Sequence, residues 1–151
     1  MKKFLLSIFC SLMAFISVQA QSEPYYTLNP KEGSNSAYAN SCDIDIDGIT
    51  WNLNGNSTMI PWRIGGKSLT NVNRTLYSKT PMGAAVDKVV LSVGTVSGIT
   101  VNSAKLLVAN SADFSDAVET AFTVAANKQS EIAVNAAAGA YYKFDLYFHD
   151  A

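Results

Sequence analysis

Asp43, Asp45 and Asp47, spaced two apart and followed by Gly48, are the residues whose pattern most resembles a chemical site. A calcium loop of the D-x-D-x-D-G kind begins this way, with carboxylate oxygens converging on a hard cation. Such a loop closes with a bidentate glutamate at its twelfth position, which here is Asn54. Ile44 and Ile46 between the aspartates suit a strand better than a coordinating loop. The expectation is therefore no metal site and no cofactor, with a looser calcium site at this turn as the alternative.

Catalytic material is scarce. His149 is the only histidine and lies two residues from the end of the sequence, so a Ser-His-Asp triad or a multi-histidine zinc site has nothing to build on. Glu32, Asp43, Asp45 and Asp47 are available for glycoside hydrolysis, but nothing in their spacing recommends a working pair. No catalytic residue is assigned, and the chain is not expected to be an enzyme.

Binding chemistry is better represented. Pro61-Trp62-Arg63-Ile64-Gly65-Gly66-Lys67 sets an indole beside a guanidinium, a glycine pair and an ammonium. An indole face stacks on the C–H face of a sugar, Arg and Lys donate to hydroxyls, and glycine lets backbone come close. The competing reading puts Trp62 and Ile64 into the core and makes Gly65-Gly66 a plain turn. Asn71, Asn73, Arg74 and Tyr77 follow, and with Arg63 and Lys67 they form the one concentration of bases and amides. Trp62, Arg63, Lys67 and Arg74 are the candidate ligand-binding residues. Asn56-Ser57-Thr58 and Asn73-Arg74-Thr75 also match the N-glycosylation tripeptide.

Strands must position these residues. Helical periodicity is hard to find, and short apolar or alternating runs punctuated by Gly, Asn, Asp and Pro predict many short strands in a sandwich or barrel. Expected strands cover Tyr25–Leu28, Ser41–Ile46, Ile49–Leu53, Met59–Ile64, Arg74–Ser78, Asp87–Val93, Ile99–Val101, Ala104–Val108, Glu119–Val124, Ser130–Val134 and Tyr141–Phe148. Asp113–Val118 is long enough for one helical turn. Asp47-Gly48 is a two-residue turn signal that favours positive φ. A tight hairpin there sets Ile46 against Ile49, Ile44 against Trp51 and Cys42 against Leu53, all on one face. A slip of one residue would bury the aspartates, so the register is well specified. The last strand alternates Tyr142, Phe144, Leu146 and Phe148 against Tyr141, Lys143, Asp145 and Tyr147. Either this strand is interior by topology, or the domain lacks a final strand.

The first twenty residues read as a secretion signal: a basic Met1-Lys2-Lys3, an apolar run to Val18, and small residues before a cleavage point after Ala20. The run is short for a membrane span of ~20 apolar residues, so no transmembrane anchor remains after cleavage. The expected organisation is a signal over 1–20 and one β-sandwich domain over 21–151, located in the periplasm, at the cell surface or outside the cell. Cys10 leaves with the signal, so Cys42 has no partner for an intramolecular disulfide and is expected to be buried. Lys and Arg number 11 against 12 Asp and Glu, and charged residues are 15% of the chain, below the usual ~25%. No basic run exists, so nucleic acid is not an expected partner. A surface rich in Asn, Ser and Thr suits an uncharged polar one.

Several segments carry a resemblance when taken in order: Tyr25-Tyr26-Thr27-Leu28, Asp47-Gly48-Ile49-Thr50-Trp51, Trp62-Arg63-Ile64-Gly65-Gly66-Lys67, Tyr77-Ser78-Lys79-Thr80, Ile99-Thr100-Val101-Asn102-Ser103, Asp113-Phe114-Ser115 and Tyr141-Tyr142-Lys143-Phe144. Together they resemble a poorly characterised domain of secreted proteins from Bacteroides-like bacteria, similar in outline to galactose-binding-domain-like jelly rolls. The resemblance implies an all-β jelly-roll sandwich and a non-catalytic binding role, most naturally for a glycan. The alternative role is a protein-interaction or structural module of a cell-surface assembly, with a cell-surface protein as partner and an unfinished sheet edge as the contact.

Overall fold

The computed structural model describes residues 39–59, 62–64, 71–94 and 100–149. The proposed signal, the expected strand Tyr25–Leu28 and Lys67 lie outside these residues. Nine strands are present among the described residues: β1 (Ala39–Ile46), β2 (Ile49–Met59), β3 (Trp62–Ile64), β4 (Val72–Ser78), β5 (Val86–Ser92), β6 (Thr100–Ala109), β7 (Val118–Ala121), β8 (Gln129–Ala136) and β9 (Tyr141–His149). No helix occurs among the described residues, and therefore none long and apolar enough to cross a membrane. The expected all-β class holds.

The hairpin closes in the register expected from its turn. Ile46 pairs with Ile49, Ile44 with Trp51 and Cys42 with Leu53. Asp47 and Gly48 both take positive φ, 50° and 78°, which matches the right-handed twist of the flanking strands. Ile44, Ile46, Trp51 and Leu53 are buried on one face. Cys42 is a free thiol, half-buried against the same cluster rather than fully enclosed as expected. The opposite face carries Asp43, Asp45 and Thr50, with the Thr50 hydroxyl donating to Asp45. Asn52 is buried there, and its amide nitrogen donates to Asp43 at 2.6 Å and to Ser41 at 3.2 Å.

The large sheet has the order β1-β2-β4-β9-β6-β7, with β3 paired to β2. All pairings are antiparallel. One row of its inner face runs Cys42, Leu53, Leu76, Phe144, Leu106 and Thr120 across six strands. Leu53, Leu76 and Leu106 are almost wholly enclosed. Burying a side chain of that size contributes roughly 1.5–3 kcal/mol, so this row is the spine of the core. β5 and β8 form a second, two-stranded antiparallel sheet, and Ile132, Val86, Val89 and Val134 from it pack on the same cluster. Two antiparallel sheets facing across one core are consistent with a β-sandwich.

β9 lies between β4 and β6 and is paired along both edges. The alternation read from its sequence places Tyr142, Phe144, Leu146 and Phe148 in the core, so it is interior by topology. Of the two alternatives for the last strand, the interior position is the one observed. Ser78 sits where β4 runs out, and its hydroxyl accepts the Tyr142 amide at 2.9 Å, satisfying a buried donor that the ladder leaves behind.

Three expectations are corrected in detail. Met59–Ile64 is not one strand: Met59 pairs with Trp62 and Thr58 with Arg63, so the chain reverses between them. Proline at position 61 cannot donate to a ladder, which is the local reason for the break. The two expected strands Ile99–Val101 and Ala104–Val108 run together from Thr100 as one strand, β6, with a register shift between Val101 and Ser103, and Ile99 lies outside the described residues. Asp113–Val118 forms turns rather than a helical turn: the Phe114 amide bonds Ser111 and the Ala117 amide bonds Phe114.

Candidate functional site

Of the four candidate residues, the backbone of Trp62 and Arg63 and the residue Arg74 fall at one end of the large sheet, and Lys67 lies outside the described residues. Asn54 pairs with both Ser41 and Thr75, and Ser57 pairs with both Ala39 and Ile64. β3 and β4 therefore flank β2 on the same side, opposite β1. The backbone of Trp62 and Arg63 consequently follows on from the start of β4, where Arg74 stands. Arg74 pairs with Leu146, which assigns it to the core-facing side of the sheet. It is half-buried, Nη1 donates to the Asn73 carbonyl at 3.2 Å, and the buried Nε has no partner among the described residues. Sequence parity carried a signal for this, since Val72, Arg74, Leu76 and Ser78 share one face of an alternating strand.

On the outward side at the same end lies Tyr147. It pairs with Asn73, and its hydroxyl donates to the Asn71 side-chain oxygen at 2.9 Å. Asn71 turns the chain into β4 with φ 53°, a conformation asparagine tolerates better than most residues. The result is a half-buried phenol ring on the outward sheet face, with Asn71 and Asn73 exposed beside it. The sequence displayed Tyr147 only as one of the outward residues of the last strand. Its position beside the two asparagines requires the β4–β9 pairing.

Further along the outward face, one row reads Asp43, Asn52, Tyr77, Lys143, Leu107 and Glu119. Asp43 is joined to Lys79 at 2.6 Å, and hydrogen bonds from Asn52 and then Lys79 hold its carboxyl below the usual range. Phe114, from the β6–β7 loop, covers this row: its ring stands edge-on to Tyr77 at 6.2 Å, with Lys143 Nζ 5.8 Å from its centroid. Phe114 has φ 60°, which costs a bulky residue about 1–2 kcal/mol. Asp116 and Asp113 hold the loop in that shape. Asp116 accepts from the Ser111 hydroxyl and from the Asn110 and Ser111 amides, and Asp113 accepts from the Ser115 amide and hydroxyl.

The Ser111 hydroxyl, followed by the Asn110 and Ser111 donors, lowers the Asp116 carboxyl from 3.8 to about 2. A depressed folded pKa stabilises the loop fully above pH 3.8, and that contribution disappears as the pH falls through about 2. Asp116→Asn is expected to speed amide exchange at Asn110 and Ser111 while leaving Leu106 protected. Unchanged exchange at those two amides would mean that the backbone turns alone hold the loop.

A cleft of about 240 Å³ opens between the sheets beside β7, walled by Val108, Val118, Val134 and Ala136 with Asn110 and Asp116 at one end. Among the described residues no group of three or more His, Cys, Asp or Glu could hold a metal ion. Asp43, Asp45 and Asp47 occupy a strand and its turn, with Asp43 and Asp45 committed to Asn52, Lys79 and Thr50. Comparison of the chain with family models, curated proteins and solved structures finds no match.

Proposed function

We propose that the chain is an exported, non-catalytic binding module for carbohydrate, built as a jelly-roll sandwich of the galactose-binding-like kind. The observation that carries the ligand reading is the end of the large sheet where Tyr147, Asn71 and Asn73 meet. A phenol ring on the outward sheet face offers stacking to the C–H face of a sugar, and the neighbouring amides can donate to or accept from its hydroxyls. The backbone of Trp62 and Arg63 borders the same end. The sparse charge of the chain favours an uncharged polyol over nucleic acid. The return of β9 between β4 and β6 supports a Greek-key arrangement, of which a jelly roll contains two.

Stacking and a few hydrogen bonds give micromolar to millimolar affinity, roughly 4–8 kcal/mol. A glycan array probed with the exported chain, with calcium and with chelator, tests the proposal. Binding that is indifferent to chelator and at least about tenfold weaker in both Tyr147→Ala and Trp62→Ala is expected. A folded protein that binds no glycan would overturn it and favour the cell-surface protein as ligand.

A further inference from the structure

The described edges of the two sheets differ in how they are protected. β1 and β5 carry register shifts and exposed charges, and β8 bends at Asn135 with φ 48°. Such devices keep edges from pairing with other chains. β7 has no bulge and no proline. Its single charge, Glu119, is held at 2.6 Å by Lys105 of the neighbouring strand. Val118, which faces the core side, is 70% exposed.

The hydrogen-bond phase of this edge can be worked out. The Phe122 amide donates to the Ala104 carbonyl, so Phe122, Thr120 and Val118 direct their backbone groups toward β6. Glu119 and Ala121 direct theirs outward, where no strand is paired among the described residues. An antiparallel partner must bring the same phase. β7 meets this requirement against itself when Thr120 lies opposite Thr120 of a second copy. Glu119 then bonds Ala121 of the other copy through both main-chain groups, and the two-fold repeats the pair.

Neighbouring registers are worse. Centring on Glu119 sets two carboxylates directly opposite each other on one face, which is destabilising. Centring on Ala121 runs past the end of the strand. In the Thr120-centred register no like charges face each other, and exposed Val118 lies opposite the half-buried Phe122 of the other copy. We infer that a second copy of this chain docks on β7, joining the two large sheets into one continuous sheet across a two-fold axis. The inference is independent of the carbohydrate reading, because neither Tyr147 nor the β3 end takes part.

A four-residue strand pair buries less than the ~1,200 Å² of the smaller specific interfaces, so half-association is expected between about 10 μM and 1 mM. Sedimentation velocity over a concentration series, on protein expressed from its full-length gene and purified after export, reads the dimer directly. Amide exchange on the same samples reads the register: Glu119 and Ala121 should gain protection with concentration, while Thr120 should not change. Ala121→Pro removes a donor that faces only the partner and should weaken association at least about tenfold, whereas Ala121→Thr should retain it. A monomer throughout the series, or a dimer in which the Glu119 and Ala121 amides stay unprotected, overturns the proposal.

Discussion

Leu106→Ala is expected to lower the unfolding free energy by about 3–5 kcal/mol, among the largest effects of any single truncation in this chain. Leu106 is 0% exposed and stands in the inner row between Phe144 of β9 and Thr120 of β7. Its removal leaves a cavity that neighbouring strands cannot close without breaking their ladders. Val108→Ala, two residues along on the same face, provides the comparison: Val108 is only half-buried at the cleft, so its loss should cost about 1 kcal/mol. Urea unfolding of the two variants checks both values. Equal losses would mean that the sheets do not close over Leu106.

Gly48→Pro should be comparably damaging by a different route. Gly48 has φ 78°, and nothing lies within 4 Å of where a Cβ would stand, so the site is open in space but closed in conformation. Proline locks φ near −65° and cannot adopt this turn. Because the two-residue turn sets the pairing of Ile44 with Trp51 and Cys42 with Leu53, losing it releases both strands of the hairpin. A loss of about 3 kcal/mol or more is expected, against about 1 kcal/mol for Gly48→Ala, which suffers only the positive φ. Thermal melting of both variants measures the difference, and a proline variant as stable as the parent would disprove the turn.

These two predictions mark the limits of what can be read from the residues alone. Gly48 belongs to the legible part. The Asp47-Gly48 turn is local, side chains alternate with period two, and burying aspartate is prohibitive, so the hairpin register was determined before any tertiary contact was known. The same alternation foretold the two faces of β9. Parity within β4 likewise assigns Arg74 to the face of Leu76.

Leu106 belongs to the other part. Nothing in its local sequence sets it between Phe144 and Thr120, because β6 meets β9 across a long stretch of intervening chain. Strand order is decided by which apolar faces close over one another, a free-energy balance over the whole core rather than a property of any segment. That balance placed β9 between β4 and β6, making the last strand interior and leaving β7 unpaired on its outer side among the described residues. It also brought Tyr147 to Asn71 and Asn73, and laid Phe114 over Tyr77 and Lys143. The sequence by itself determined most of the strands, the faces of β1, β2 and β9, and the tight turn at Asp47-Gly48, since those follow from backbone sterics and the cost of burying charge. The tertiary structure alone decided which strands are neighbours, and hence which side chains share a site, because pairings distant in sequence are selected only when the two sheets close.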